Sequence, residues 1–340
     1  MIDYGHGDDI YKYKNITFKA NFSSNIWYKG IPNELLNHLS TQLKSIENYP
    51  APSAEHLIHL IAKYHCLSES SMMVTNGATE AFYLITNSFH ASSATICTPT
   101  FSEYEQASIA NKLQIKFIDR KAVLKHRFNT QLAFICNPNN PDGFENTVDE
   151  IDAIISKFPE TIFIIDEAYT EFTPTKTSCI SLLKKKNNLL IIKSLTKLFC
   201  IPGLRLGYVL GAPELITKLI KQKMPWNING IALSAGDFIF KNYKKLIPNF
   251  TNCFENTQKL KNAIGILQGF KIHPTNTSYF LVELNLPKAS ELKSYLIHEH
   301  QLLIRNASNF RTLNEHHIRI SSQTSQKNEL LINALKQWSS

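Results

Sequence analysis

The sequence predicts an α/β protein with two domains. Residues 48–240 are expected to form a large domain around a mostly parallel, seven-stranded sheet wrapped by helices, and residues 1–47 and 241–340 a smaller α+β domain. Three observations predict this organisation. The chain has 340 residues, more than one small core usually organises. Short apolar runs alternate with helical patterns from about residue 50 to 240, and the last hundred residues have a different order of strands and helices.

Each predicted strand of the large domain is a continuous apolar run, which is typical of strands covered on both faces. These runs are Ser71–Thr75, Ala94–Thr98, Gln114–Ile118, Leu132–Cys136, Thr161–Ile165, Asn188–Ile192 and Leu206–Leu210. Amphipathic segments at Ala78–Phe89 and Asp149–Lys157 predict helices between them. This alternation predicts a largely parallel sheet, and such sheets bind ligands outside the carboxyl ends of their strands.

The smaller domain is predicted from short strands and helices in the last hundred residues. The strands are expected at Gly269–His273, Ser278–Glu283, Leu302–Arg305 and His316–Ser321, and the helices at Ser290–His298 and Lys327–Trp338. Near the N-terminus, apolar residues at helical spacing predict a further helix that packs with this domain: Leu35, Leu36, Leu39, Leu43 and Ile46.

The composition indicates an ordinary globular protein, with 43% hydrophobic and 19% charged residues. No apolar run approaches the roughly 18 to 20 residues that span a bilayer, and the polar start of the chain is unlike a signal peptide, so we expect a cytoplasmic protein without a membrane partner. Six scattered cysteines without a Cys-x-x-Cys pair predict reduced thiols and no metal site. The net charge of +8 is spread along the chain, which predicts no nucleic-acid partner.

Polar residues cluster where three predicted strands end. The first strand leads into Asn137–Gly143 (NPNNPDG), the second into Asp166–Tyr169 (DEAY) and the third into Ser194–Lys197 (SLTK), followed by Pro202–Gly207. Taken singly, these segments are consistent with a plain loop, a helix N-cap or a solvated lysine. Their order and spacing together predict that an amide, an acid, a phenol, a lysine and an arginine gather along one sheet edge.

With these motifs the chain resembles the fold-type I pyridoxal 5′-phosphate (PLP) enzymes of the class I/II aminotransferase superfamily, over nearly its whole length. The resemblance implies the PLP-dependent transferase fold, PLP as cofactor and a Schiff base at Lys197. It implies that Asp166 pairs with the pyridine nitrogen, and that Asn140 and Tyr169 hydrogen-bond the ring hydroxyl. Chemistry supports these roles. A carboxylate at the ring nitrogen keeps that nitrogen protonated, so the ring can accept electrons. A nearby cation such as Arg205 favours the unprotonated, nucleophilic form of the lysine. The retained residues argue against the alternative of a binding protein without catalysis.

The resemblance also assigns a site for the cofactor phosphate. Ser194 and Arg205 are expected to hold it together with the backbone amides of Ala78 and Thr79 at a helix start, and Thr196 adds a neutral donor. A fork-shaped guanidinium and a helix N-terminus both suit a phosphate dianion.

Two further implications concern aromatic residues. Either Phe101 or Tyr104 is expected to stack on the PLP ring. Tyr49 resembles the tyrosine that reaches the phosphate from a partner subunit, which implies a homodimer with shared active sites. The alternative is that Tyr49 is a loop residue that packs on Pro50 and Pro52.

Within the superfamily the chain is similar to two families, the threonine-phosphate decarboxylases of cobalamin biosynthesis and the histidinol-phosphate aminotransferases. Phe22–Ile26 (FSSNI), Tyr4–Gly7 (YGHG), Lys223–Asn229 and Leu303–Asn306 resemble the decarboxylase pattern more closely. We therefore expect decarboxylation of O-phospho-L-threonine, with the aminotransferase as the alternative.

Either activity requires residues that bind a small phosphorylated amino compound. Arg319 is expected to clamp its carboxylate or phosphate, with Arg305 beside it or, alternatively, on an exposed strand position. The expected substrate residues are His6, Gly7, Asn25, Asn140, Arg305 and Arg319. The chain departs from the family at Asp8-Asp9, since two carboxylates beside a substrate phosphate would oppose binding unless they point away.

Overall fold

The structure is a computed structural model that describes residues 7–339. Its β-strands are β1 (Ala20–Asn21), β2 (Met72–Thr75), β3 (Ser93–Thr98), β4 (Gln114–Asp119), β5 (Leu132–Cys136), β6 (Ile162–Asp166), β7 (Leu189–Ser194), β8 (Gly207–Gly211), β9 (Phe270–Ile272), β10 (Tyr279–Leu284), β11 (Leu302–Leu303), β12 (Arg305–Asn306) and β13 (His317–Ser321). Its α-helices are α1 (Asn33–Thr41), α2 (Glu55–His65), α3 (Gly77–Ser88), α4 (Glu103–Ala110), α5 (Val148–Lys157), α6 (Leu195–Leu198), α7 (Pro213–Ile220), α8 (Gly230–Leu246), α9 (Thr251–Gly265), α10 (Ala289–His300) and α11 (Ser325–Ser339). Within these residues no helix combines the length and apolar content needed to cross a bilayer.

The centre of the molecule is a seven-stranded sheet in the order β2-β8-β7-β6-β5-β3-β4. The five strands from β7 to β4 are parallel, and β8 runs antiparallel to both of its neighbours. This confirms the predicted mostly parallel sheet. Since β5, β6 and β7 are parallel neighbours, their carboxyl ends lie side by side at one edge.

Two hydrophobic layers cover the sheet, because alternate side chains of a strand point to opposite faces. In β7, Leu189 and Ile191 belong to one layer and Leu190 and Ile192 to the other. Helices α2, α5 and α8 contribute to the first layer and α3, α4 and α7 to the second. At the start of α5, Thr147 and Glu150 form a capping box.

Strand β4 departs from the sequence interpretation. It was expected to be covered on both faces, but four of its six residues are exposed. It lies at the end of the sheet, where it pairs with β3. An apolar run therefore does not reveal whether a strand is central or at an edge.

The C-terminal part forms a four-stranded sheet in the order β12-β13-β10-β9 against α9, α10 and α11. The predicted strand Leu302–Arg305 is divided, because β11 pairs with β1 while β12 pairs with β13. In this second pairing Arg305 lies directly opposite Arg319.

The N-terminal segment does not pack as expected. Residues of β1 join the C-terminal core, but the predicted helix ends at Thr41 and packs against α8 of the large sheet's helical layer. Its continuation is a short 3-10 helix, Leu43–Glu47, in which Leu43 and Ile46 are exposed. The domain boundaries at residues 47 and 240 stay predictions, and the packing of α1 shows that the N-terminal segment is divided between the two cores.

Candidate active site

The three polar segments meet at the carboxyl ends of β5, β6 and β7, around a cavity. Asn140 follows β5, Asp166 ends β6, and Ser194 ends β7 just before α6. The cavity is lined by Ala78, Thr79, Phe82, Phe101, Cys136, Asn140, Asp166, Ala168, Tyr169, Ser194, Thr196, Lys197 and Arg205. The geometry thus brings together the predicted cofactor residues except Tyr49 and Tyr104.

Lys197 lies in α6, directly after β7, and its amine faces the cavity. Burial lowers its pKa to about 8, and the positive charges of Arg205 and Arg319 contribute to the shift. The carboxylates of Asp8 and Asp166 act in the opposite direction. The unprotonated amine, which is the nucleophilic form, is therefore far more populated near neutral pH than in an ordinary lysine.

Asp166 is 5% exposed and is held by two hydrogen bonds. The Ala168 backbone N–H donates to Oδ1 at 3.0 Å, and the Tyr104 hydroxyl donates to Oδ2 at 2.5 Å. Burial raises the pKa of Asp166, and both hydrogen bonds oppose that rise. Beside it, burial raises the pKa of Tyr169, so this phenol stays a neutral hydrogen-bond donor.

The opposite end of the cavity is built to hold an anion. The N-terminus of α3 contributes Ala78 and Thr79, and Arg205 lies against it. A Cβ at Gly77 would lie 2.6 Å from Nη2 of Arg205, and one at Gly207 would lie 2.9 Å from the Ala78 nitrogen. Glycine at both positions thus lets the guanidinium and β8 approach the helix start, where free amides favour a phosphate.

Hydroxyl groups complete this anion site. Ser194 Oγ and Thr196 Oγ1 lie 2.8 Å apart, and both residues line the cavity. An amine, a carboxylate and an anion cradle around one cavity match the aldehyde, the pyridine nitrogen and the phosphate of PLP. The residues present therefore fit this cofactor.

The two aromatic candidates have different positions. Phe101 lines the cavity, whereas Tyr104 is 1% exposed and lies behind it, stacked on Phe134. Phe101 is therefore the residue that can stack on a bound ring. The sequence identified both aromatic rings but could not distinguish the surface residue from the buried one.

A wider, more open cleft continues from Lys197 toward the N-terminal segment. Arg319 lines it, 4% exposed, and donates to Asn140 Oδ1 and to the backbone oxygen of Ser23. Within residues 7–339 its buried Nε has no hydrogen-bond partner. Gly7 and Asn25 lie in the same wall.

The cleft also contains a residue that sequence reasoning missed. Glu103 is buried, lines the cleft and accepts a hydrogen bond from the Tyr83 hydroxyl at 3.2 Å. It lies between Phe101 and Tyr104 in the sequence, where only the aromatic residues had been assigned a role. The sequence did contain a signal for it, because Glu103 is an acidic residue in the segment Pro99–Tyr104, which directly follows the buried strand β3.

Other predicted substrate residues lie beside this cleft or beyond the described chain. Arg305 is buried, so the alternative of an exposed strand position is wrong; it lines a neighbouring cleft with Asp9. Asp9 binds Lys293 Nζ at 2.6 Å and so points away from Arg319's cleft. The side chain of Asp8 accepts a hydrogen bond from Asn21. His6 lies outside the described residues.

Tyr49 does not reach the cavity of its own chain. It is 87% exposed, and its ring contacts Trp226 with centroids 5.6 Å apart. Tyr49 can therefore contact a cofactor phosphate only in the site of another subunit.

Comparisons with known proteins agree with this geometry. The family model described as aminotransferase class I and II matches residues 19–335. The chain is 29% identical to a histidinol-phosphate aminotransferase of Caldanaerobacter subterraneus, over 96% of this chain and 95% of that protein. It is 28% identical to a threonine-phosphate decarboxylase of Salmonella typhimurium, over 93% and 90%. A crystal structure of L-threonine-O-3-phosphate decarboxylase from Porphyromonas gingivalis superposes with a TM-score of 0.91 at 33% identity, covering 94% of this chain and 99% of that one.

Proposed function

We propose, from the premise that this chain belongs to the class I and II aminotransferase family, that it decarboxylates O-phospho-L-threonine to aminopropanol phosphate for cobalamin biosynthesis. The cofactor is PLP, in keeping with the family and with the donor set of the cavity. Relatives of both activities occur at similar identity, so the choice of reaction rests on the substrate cleft.

The wall of that cleft carries the proposal. Ser23, Ser24 and Asn25 line it opposite Lys197. They belong to the segment Phe22–Ile26, whose sequence resembles the decarboxylase pattern. These residues and Arg319 line the same cleft, so sequence differences between decarboxylases and aminotransferases in this segment would change how the substrate is bound.

Arg319 is the anion-binding residue of this proposal. Its two terminal nitrogens donate to neutral oxygens, of Asn140 and Ser23, so its charge is not cancelled by those partners. The remaining Nε–H is buried beside the cleft. A carboxylate or phosphate would provide the missing acceptor and a compensating charge.

The proposed catalytic residues have two tasks: they orient the bond to the substrate Cα that is to be broken, and they move a proton to Cα. When bound, PLP withdraws the electron pair that remains after a bond to the substrate Cα breaks. Asp166 would hold the proton on the ring nitrogen, and Tyr169 and Asn140 would orient the ring through its hydroxyl. Arg319 would hold the substrate so that the bond from Cα to the carboxylate is perpendicular to the ring, and Lys197 would deliver a proton to Cα after carbon dioxide leaves.

The aminotransferase is the second candidate, favoured by the similarity to the Caldanaerobacter enzyme. It would use the same residues with a different substrate orientation. Lys197 would then remove the proton from Cα, because the C–H bond would be the one perpendicular to the ring.

One pair of assays separates the two reactions. The purified holoenzyme is given O-phospho-L-threonine alone, and carbon dioxide is measured. In parallel it is given histidinol phosphate with 2-oxoglutarate, and glutamate is measured. Carbon dioxide without glutamate supports decarboxylation; glutamate without carbon dioxide contradicts it and supports the aminotransferase.

The proposal includes a homodimer in which Tyr49 reaches the partner's phosphate site. In support, the exposed Tyr49 contacts the exposed Trp226, and three apolar side chains close to one of them in the sequence are exposed as well: Leu43, Ile46 and Met224. Exposed apolar surface of this kind is typical of protein interfaces. A second copy would cover it.

Mixed subunits test this shared site. Tyr49→Phe and Lys197→Met proteins are each expected to have little activity. In a hybrid dimer one site carries both changes and the other carries neither, so activity returns. No recovery in a preparation shown by mass spectrometry to contain hybrids would contradict the shared site, and Tyr11→Phe, another exposed tyrosine, serves as the matched control.

A further inference from the structure

The hydrogen bond between Tyr104 and Asp166 joins a residue outside the cavity to one inside it. Asp166 faces the cavity, and Tyr104 donates to it from the buried side at 2.5 Å. Because Oδ1 is engaged by the Ala168 backbone, Tyr104 is the side-chain donor that fixes the second oxygen. The carboxylate plane is thus held at both ends.

We propose that Tyr104 is a positioning residue that sets the orientation and the charge of Asp166 toward the cofactor ring. The inference rests on the assignment of Asp166 to the ring nitrogen in the proposed function. It holds for decarboxylation and for transamination alike, since both require that pairing.

The surroundings of Tyr104 fix its hydroxyl in this bond. The ring stacks on Phe134, with centroids 5.4 Å apart and planes at 11°, and meets Phe82 edge-on at 4.7 Å. It also meets Phe101 edge-on at 5.9 Å. Tyr104 therefore contacts two residues that line the cavity. One is Phe101, which would stack on the plane of the cofactor ring, and the other is Asp166, which would pair with the ring nitrogen.

The phenol can act only as a neutral donor. Burial raises the pKa of Tyr104 well above its usual value, and the charge of Asp166 raises it further. In return the hydrogen bond from Tyr104 lowers the pKa of Asp166, against the rise that burial causes. Tyr104 therefore helps to keep Asp166 ionised, and an ionised carboxylate is what a protonated ring nitrogen pairs with.

The alternative is that Tyr104 only fills the core. The variant Tyr104→Phe separates the two, because it keeps the ring and removes the hydroxyl. The matched control is Tyr208→Phe, which deletes an equally buried hydroxyl that binds His65 on the opposite face of the sheet. Both variants lose a buried hydrogen bond, but only the first loses one to Asp166.

The measurement is the dissociation constant of PLP from the apoprotein, determined by equilibrium dialysis from pH 5 to 8.5. As pH falls, protonation of Asp166 weakens PLP binding. Without the Tyr104 hydroxyl Asp166 protonates at a higher pH, so we expect Tyr104→Phe to lose affinity at a higher pH than wild type. At pH 6 the loss is expected to be roughly tenfold to hundredfold, the range for a hydrogen bond to a charged group.

The control is expected to follow the wild-type pH dependence whatever its thermal stability. If Tyr104→Phe also follows it, with only a lower melting temperature, Tyr104 has a packing role and the inference is overturned. Asp166→Asn tests the underlying assignment separately: if that variant keeps wild-type affinity and pH dependence, the assignment of Asp166 itself is wrong.

If Tyr104→Phe is stable enough to assay at one pH but not over the whole range, a double variant compared at that single pH keeps the test decisive. In Asp166→Asn the acid is gone, so removing the Tyr104 hydroxyl as well is expected to change PLP affinity by less than threefold. Two losses that multiply would show that Tyr104 acts independently of Asp166 and would overturn the inference.

Discussion

Lys193 and Lys197 lie four residues apart at the end of β7, in surroundings of opposite charge. Lys193 is 7% exposed and lies 3.4 Å from a carboxylate oxygen of Glu167 and 3.4 Å from one of Glu171. Lys197 faces a cavity that Arg205 also lines, with Arg319 in the adjoining cleft.

The two lysines show that neighbouring charge decides the protonation state of a buried amine. Burial lowers the pKa of both. At Lys193 the carboxylates of Glu171 and Glu167 outweigh burial, and the pKa is raised above its usual value. At Lys197 the two arginines add to burial, and the pKa falls to about 8. One amine is thus a structural cation and the other a potential nucleophile.

The largest expected effect is on turnover. Lys197→Met removes the proposed proton donor to Cα, and general acid–base catalysis typically contributes about 10²- to 10⁴-fold, so we expect kcat to fall by at least that factor. The circular dichroism spectrum is expected to stay unchanged. If the variant retains more than a tenth of the wild-type kcat on either substrate, Lys197 is not the catalytic lysine.

The structural role of Lys193 is tested by the same substitution at that position. Lys193→Met leaves the buried Glu167 and the partly buried Glu171 without their cation, and breaking a buried pair costs about 3–5 kcal/mol. We expect a lower free energy of unfolding of the apoprotein in urea. Lys197→Met should show no such loss, because it removes an amine that burial and two arginines disfavour in its charged form. Equal losses in both variants would contradict the distinction.

Arg319 sharpens the comparison, because it is one of the two cations near Lys197. Arg319→Ala removes the proposed anion clamp, and the loss of one partner of a buried charge pair costs about 2–5 kcal/mol. At about 1.4 kcal/mol per decade, this weakens apparent substrate affinity by some tens to thousands of fold. The visible absorption of bound PLP should persist. Unchanged KM for phosphothreonine and for histidinol phosphate would exclude Arg319 as the clamp.

The smallest effect concerns the reactivity of the two amines. In the apoprotein, the rate at which acetic anhydride acetylates Lys197 should rise with a midpoint at about pH 8, because only the unprotonated amine reacts. Lys193 should stay unreactive at this pH, since its pKa is raised above 10.5. Arg205→Gln removes a positive charge and should move the Lys197 midpoint upward. Peptide mass spectrometry measures both sites in one sample, and a midpoint that moves downward would contradict the electrostatic cause.

Local sequence patterns predicted the features that depend on single segments. The ends of β5, β6 and β7 were predicted within two residues, since apolar runs stop where polar turns begin. Contacts between distant segments were not predictable in this way. The Tyr104–Asp166 bond, the division of Leu302–Arg305 between two sheets and the packing of α1 on α8 depend on tertiary geometry, which neither periodicity nor spacing contains.

The exposed edge strand β4 has a consequence for the behaviour of the protein at high concentration. An open strand edge is a template on which another molecule can add a strand and begin an aggregate. On β4 the large apolar side chain Phe117 is covered by the guanidinium of Arg311, 3.9 Å from the ring centroid, and Glu105 fixes that guanidinium through a salt bridge. Lys116, the preceding residue, adds a charge on the other face of the same strand. We therefore expect the arginine that shields this aromatic ring to limit self-association along the sheet, so that colloidal stability depends on a residue that lines neither the cavity nor the substrate cleft.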